Sequence, residues 1–356
     1  MTKPAVVAVN ARFVTQDVTG VQRYAHELVS RLATPDGIRV LLLVPPDKVI
    51  ELGPGEQTPL HPDERWWGMG GHRWEQTTLR SLFRRSGASV LLSPAGWGPV
   101  TVRAQLPVIH DIHPILHPVF FAPNYARWSK VATPLLVHAA RRVAATSGRV
   151  RDQLVEHLRV DPARIDLVSP AVGPPFTDRP LDDIDDRPGG HCLFVGGDKT
   201  QKNLTFLTAF WPDVHRRLGL ELWVTERAVP SRVMADLGKV PGVVRLRDPS
   251  DEELVEAYAG ALCLLWPSIA EGFGIPLLEA MAVGTPFISA DVGAARDLAV
   301  TADQVLPLDP ELWIDRLRQW RSKDLGDLRR RGAEQARQAT WERSADALRS
   351  ALQPLL

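Results

Sequence analysis

Glu271 and Glu279 stand with seven residues between them in "EGFGIPLLE". A carboxylate has two acceptor oxygens and suits the vicinal hydroxyls of a sugar or a ribose, so two acids around one turn can address two parts of one ligand. The residues that hold them add a second chemistry. After the apolar run "LCLLWPS" the chain turns through "IAEGFG", and Pro276 suits the first turn of a helix. Ile275, Leu278 and Met281 or Ala282 recur at helical spacing, and Gly284 ends the helix before "TPFIS". The unit reads strand, turn, helix, strand. Its turn falls at the carboxyl end of a parallel strand, where such sheets bind ligands. The helix amino end offers N–H groups and a positive dipole end, which suit a phosphate. Spacing alone leaves a second reading open, in which both acids are solvated on the surface.

The elements that must position these residues alternate along most of the chain, which argues parallel sheets covered by helices. Early strands are expected in "AVVAVNA", "IRVLLLVP", "SVLLSPA" and "LPVIHDI", and helices over "VQRYAHELVSRLA" and "RVRDQLVEHL". A second series follows: "HCLFVGG", a helix over "NLTFLTAFWPDVHRRL", then "LELWVTE", "VVRLRD", a helix over "DEELVEAYAGA", "LCLLWPS" and "TPFISA". Between the series lies "GPPFTDRPLDDIDDRPGG", rich in Pro, Gly and Asp, which reads as a linker. The expected organisation is a Rossmann-like domain over 1–172, a linker over 173–189 and a second Rossmann-like domain over 190–340. The two sheets are expected to face a central cleft.

Composition agrees with an ordered α/β protein. The 356 residues exceed the usual single-domain size, 44% are hydrophobic and 24% charged, and no stretch has a disordered composition. Cys192 and Cys263 are too few for a disulfide framework and fit no zinc spacing, which favours a reducing compartment. The start "MTKPAVVAVNARF" shows no secretory pattern, and no apolar run approaches the roughly 20 residues of a membrane span, so a cytoplasmic protein is expected. The formal net charge is zero, yet residues 1–170 hold 20 Lys+Arg against 14 Asp+Glu and the remainder 22 against 28. That asymmetry points the first half toward an anionic partner.

The stretch "EGFGIPLLEAMAVGTPFI" resembles the paired-glutamate signature of the retaining family-4 glycosyltransferases, which have the GT-B fold. Further segments resemble that family in the same order: "TGVQRY" its glycine loop, "VIHDIHP" its His-Asp segment, "TSGRVRDQLVEHLRVDPARIDLVSPAVGPPF" the stretch entering its linker, "FVGGDKTQKN" its donor loop and "TWERSADAL" its closing helix. The resemblance implies an α/β GT-B fold in which the helix over 341–356 packs back on the first domain. It implies transfer of a sugar from a nucleotide diphosphate sugar, with GDP-mannose as first guess, to an acceptor hydroxyl, without a metal or other cofactor. By the same resemblance Glu279 holds the ribose and Glu271 the donor sugar hydroxyls. Gly272, Phe273, Gly274 and Ile275 carry the loop whose N–H groups lie near sugar and diphosphate. Lys202 binds the diphosphate, with Gly196, Gly197, Lys199 and Asn203 in the same loop. His110 lies beside the sugar from the other domain, and Gly20 and Arg23 belong to a phosphate or acceptor loop. The chain departs from the family at Gln201, where an arginine is usual, and at Thr19, where paired glycines are usual. Its implied partners are the donor and a saccharide, lipid-linked saccharide or small acceptor, and no nucleic acid. The mannosyl- and rhamnosyltransferases of surface polysaccharide assembly are the members it resembles most.

Other readings compete. "HDIHPILH" sets His110, His113 and His117 near Asp111, but the spacing fits no helix-borne zinc motif, and the prolines after His113 and His117 favour a loop. "DDIDD" at 182–186 mimics metal-binding acids yet sits in the linker, and "GGDKTQKN" lacks the ending of a Walker loop. In 65–85, Trp66, Trp67 and Trp74 stand among Arg65, Arg73, Arg80, Arg84 and Arg85, with Leu79, Leu82 and Phe83 on one face. That pattern suits an anionic membrane surface, a core-packed helix or sugar stacking. Against the transferase stand two rivals: another enzyme on the same fold, such as an epimerase or phosphorylase, and a catalytically silent nucleotide-sugar-binding scaffold.

Overall fold

The computed structural model describes residues 5–34, 37–45, 48–59, 69–184, 189–196, 199–226, 236–237 and 239–356, with backbone only for 69–70. The chain divides into two compact units, residues 1–170 with 341–356, and residues 171–340. Residues 171–184, expected largely as linker, fall in the second unit. Phe176 joins its core and Ile184 is buried, so two apolar side chains tie the Pro- and Asp-rich segment down.

The first unit is built on seven strands: β1 (Ala5–Asn10), β2 (Ile38–Val44), β3 (Lys48–Leu52), β4 (Val90–Ser93), β5 (Gln105–Ile109), β6 (Val143–Ala145) and β7 (Ile165–Leu167). Their order is β3-β2-β1-β4-β5-β6-β7, parallel except for β3, which runs antiparallel to β2 at the edge. The order reverses between β1 and β4, which makes the switch point where doubly wound sheets bind ligands. Helices α1 (Gly20–Ser30), α2 (Met69–Gln76), α3 (Thr78–Ser86), α4 (His113–Leu116), α5 (Pro123–Ala139) and α6 (Gly148–Leu158) supply the covering layers. The α3 face of the basic aromatic segment is spent on the core, since Leu79 and Leu82 pack with Ala8, Leu43, Trp74 and Leu91. Arg65, Trp66 and Trp67 lie outside the described residues. The helix Trp341–Leu352 packs on α1, where Arg31 pairs with Glu342 at 3.0 Å, and beside β7, where the Ser344 hydroxyl donates to the Ser169 carbonyl at 2.8 Å.

The second unit is a five-stranded parallel sheet, β8 (His191–Phe194), β9 (Glu221–Glu226), β10 (Val243–Arg247), β11 (Ala261–Trp266) and β12 (Phe287–Ser289), in the order β10-β9-β8-β11-β12. Alternate side chains of β8 feed two cores. Cys192 and Phe194 pack under α7 (Leu204–Leu218) and α11 (Pro310–Ser322), while Leu193 faces α8 (Asp251–Ala259), α9 (Ile275–Val283) and α10 (Ala295–Leu298). Burial on both faces explains why these strands read as continuous apolar runs. α12 (Gly326–Arg337) packs on α9 and puts the buried Arg329 guanidinium against the carbonyls of Ala261 and Gly284. No helix of the described residues is long and apolar enough to cross a membrane.

Candidate active site

In the second unit the sheet order reverses between β8 and β11, and the loops leaving these two strands carry most of the residues singled out by the sequence. From β8 the chain passes Gly196 and makes a 3-10 turn over Thr200–Lys202, and Asn203, at φ 56°, starts α7. From β11 it runs through Glu271, Gly272 and Phe273 to Gly274, which precedes Ile275 and Pro276 in the first turn of α9. Two hydrogen bonds stitch the loops together: the Asn203 amide donates to the Pro267 carbonyl at 3.2 Å, and the Ile269 N–H to the Gln201 carbonyl at 2.8 Å. The bond at position 201 is made by the backbone carbonyl and so does not depend on the side chain there.

Lys202 and Glu271 meet here. The ammonium donates to Glu271 Oε1 at 2.5 Å, and the two side chains are 16% and 13% exposed. The same ammonium stands 4.1 Å from the ring centroid of Trp266, the fully buried last residue of β11. An indole face attracts a cation by its quadrupole, most strongly where water is excluded. Beneath, the lysine stem crosses Gly196, where a Cβ would stand 3.2–3.3 Å from three stem carbons and φ is 150°. The backbone angle favours glycine there, and a Cβ would press on the lysine stem.

Glu279 lies on α9 and is 7% exposed. The buried Tyr258 hydroxyl, from α8, donates to Glu279 Oε2 at 3.3 Å. Burial, with the Glu279 charge added, holds the tyrosine well above its ordinary pKa, so it remains a protonated donor. Neither glutamate is a solvated surface acid, which removes that alternative. The Glu271 loop is backed by the turn after β12. Ala294 N–H donates to the Phe273 carbonyl at 2.9 Å, and Gly293, at φ 54°, lies where a Cβ would run into that carbonyl oxygen and stand 3.1 Å from Glu271 Cβ.

Lys199 is exposed beside the 3-10 turn, and Gly197 lies outside the described residues. His110, Gly20 and Arg23 belong to the first unit. His110 follows β5, and its Nε2 donates to the Pro94 carbonyl at 2.8 Å, which leaves Nδ1 as the lone-pair nitrogen. Burial lowers the His110 pKa, opposed in part by the Pro94 bond and the Asp111 charge, so the ring is neutral at pH 7. It lines a cavity of about 140 Å³ with Val21, Gly96, Trp97, Asp111 and Tyr125. Gly20 and Arg23 sit in the first turn of α1, and the next residue, Tyr24, meets the His110 ring edge-on at 4.9 Å. The segment expected as a loop after Asp111 instead forms α4, with Pro114 in its first turn and Asp111 Oδ1 accepting the His113 N–H at 2.9 Å. Pro114 at N2 lacks an N–H that the helix does not use, so it starts the helix rather than preventing it. Among the described residues no three His, Cys, Asp or Glu side chains converge as metal ligands would.

Three residues of the site were not singled out from sequence. Trp266 carried a signal, an indole ending an otherwise aliphatic buried strand. Tyr258 and Gly293 read as a helix residue and a loop glycine, and only the fold brings them to Glu279 and Glu271.

The fold, compared with solved structures, is the GT-B fold. Sucrose-phosphate synthase from Thermosynechococcus elongatus is similar at a TM-score of 0.74 and 17% identity, covering 99% of each chain. HepE of Anabaena, solved in complex with UDP and glucose, is similar at 0.65 and 12%, covering 99% of this chain and 100% of that one. The sequence matches the family Glycosyltransferase Family 4 over residues 18–174 and Glycosyl transferases group 1 over 189–322. The chain belongs to the family-4 glycosyltransferases. Among curated relatives it is 28% identical over 218 residues to the O-antigen chain mannosyltransferase RfbU of Salmonella typhimurium, covering 60% of this chain and 59% of that protein. It is 31% identical over 221 residues to the D-inositol 3-phosphate glycosyltransferase of Frankia alni, covering 53% of each. The matches thus span little more than half the length of these relatives.

Proposed function

We propose that the chain transfers a sugar from a nucleoside diphosphate sugar to an acceptor hydroxyl, with retention of configuration at the anomeric carbon. The observation that carries this reading is the meeting of Lys202 and Glu271 at the switch point of the second unit, with the buried Glu279 on the adjoining helix. The diphosphate takes Lys202 and the amino end of α9, the sugar hydroxyls take Glu271, and the ribose takes Glu279. The N–H groups of Phe273 and Gly274 face sugar and phosphate. The acceptor is assigned to the first unit, whose cavity about the neutral His110 offers aromatic and hydroxyl groups of the kind that hold saccharides.

Chemically, the bond from the anomeric carbon to the β-phosphate oxygen breaks as the acceptor oxygen attacks from the same face, and the acceptor proton passes to the departing oxygen. No side-chain nucleophile is needed. Lys202 stabilises charge growing on the leaving group, and positioning supplies much of the rest. GDP-mannose is the first donor to try, supported by the likeness to a mannosyltransferase. The decisive experiment incubates the protein with GDP-mannose, UDP-glucose and other sugar nucleotides plus saccharide or lipid-linked acceptors and reads the anomeric configuration of the product by NMR. An inverted product sinks the retaining mechanism. Donor binding without transfer to any acceptor favours a silent binding protein.

A further inference from the structure

We propose that the Lys202–Glu271 pair makes the site select an intact sugar nucleotide over the bare nucleoside diphosphate. The inference rests on the donor-site reading above and adds to it. The two charges satisfy each other at 2.5 Å in a place where each side chain is less than one-fifth exposed. Any ligand that takes the lysine must therefore leave the carboxylate something in exchange, because a half-buried ion without a partner is costly. A sugar nucleotide does so: its phosphates take the ammonium while its sugar hydroxyls donate to the carboxylate. A bare nucleoside diphosphate takes the ammonium and offers the carboxylate no donor. It also carries one more negative charge on its terminal phosphate than the esterified donor, and like charges at close quarters repel. The pair thus charges a penalty to the product that it does not charge to the substrate, which favours departure of the nucleoside diphosphate after transfer.

The surrounding geometry keeps the pair in this role. Trp266 and Gly196 hold the lysine head and stem on two sides, so the ammonium stays at the indole face whether it serves Glu271 or an entering phosphate. On the other side Gly293 lies against the Glu271 Cβ and the Ala294 N–H holds the Phe273 carbonyl, which fixes the carboxylate's own loop. Two side chains fixed from behind act as an electrostatic test of what enters.

The test is calorimetric and uses Glu271→Gln, which keeps shape and removes charge. ADP, GDP and UDP are titrated into the parent protein to find the diphosphate that binds, and that nucleotide and its monophosphate are then titrated into both proteins. The monophosphate lacks the group that meets the pair. The expected result is that the variant binds the diphosphate about tenfold more tightly while its affinity for the monophosphate stays within about twofold, so the ratio of the two rises. An unchanged or smaller ratio overturns the proposal. If the parent protein binds none of the three diphosphates, the donor-site reading falls first and this inference with it, an outcome distinct from an unchanged ratio.

Discussion

Glu279 and Glu271 differ in neighbour and burial, and their loss should differ in kind. Glu279 is 7% exposed and accepts from a buried tyrosine, and the proposed function gives it the ribose, a group bound alike before and during reaction. Glu279→Ala is therefore expected to weaken binding of the bare nucleoside diphosphate. Losing charge-assisted hydrogen bonds of about 1.5–3 kcal/mol corresponds to roughly 10- to 150-fold in affinity. Calorimetry on a variant that keeps a cooperative thermal transition checks it, and unchanged affinity would remove Glu279 from the ribose. His110 gives a prediction in pH. Its folded pKa is lowered, so below the ordinary histidine value near 6.5 the unfolded chain binds a proton that the folded protein refuses. Its contribution is constant above that value and turns against folding as pH falls through it. Urea midpoints of the parent protein should drop between pH 7.5 and 5.5 by more than those of His110→Asn. Equal slopes would place the lowered pKa elsewhere, and His191 and His117, also lowered by burial, are the next to test.

Elements decide how well such residues are aimed. The strand, turn and helix about Glu271 were legible in sequence because each boundary had a chemical mark: Trp266-Pro267 ends β11, Pro276 lies in the first turn of α9, and Gly284, at φ 92°, closes it. β6 had no such mark. Its three residues, Val143–Ala145, are small, fully buried and too few to show a period. β3 was missed because an exposed edge strand lacks the apolar run that marks its neighbours. The support of Glu271 by Gly293 was beyond sequence reasoning, since it depends on a turn 22 residues onward folding back. That support predicts an effect. Gly293→Ala puts a Cβ against the Phe273 carbonyl at a backbone angle that L residues adopt at a cost of about 1–2 kcal/mol. The variant should melt several degrees lower and bind the nucleotide more weakly. Parent-like melting and affinity would show that the loop shifts freely and that Glu271 needs no such backing.

Over the whole molecule, the fold class was readable because both sheets are mostly parallel and helix-covered, which writes alternating apolar runs and helical periods along the chain. Of the candidate site, the loops leaving β8 and β11 carried readable motifs, whereas the Lys202–Glu271 contact and the backing from distant elements depend on the fold. Charge is distributed in the same spirit. The second half carries the acidic excess, 28 Asp+Glu against 22 Lys+Arg, yet the two acids of its site are committed, one to Lys202 and one beside Tyr258. Ile184, the apolar residue inside the acidic run "DDIDD", is buried. A diphosphate at the β8–β11 switch point would find its positive charge in Lys202 and the α9 amino end, the latter equivalent to roughly half an elementary charge. Transfer is accordingly expected to proceed at an undiminished rate in excess EDTA, with manganese or magnesium adding less than about twofold. Rates of sugar transfer measured with and without chelator, on protein dialysed against it, decide the matter. Activity abolished by chelator and restored by either cation would mean that the lysine and the helix end are not sufficient, and that the carboxylates here assigned to hydroxyls carry a metal-bound diphosphate instead.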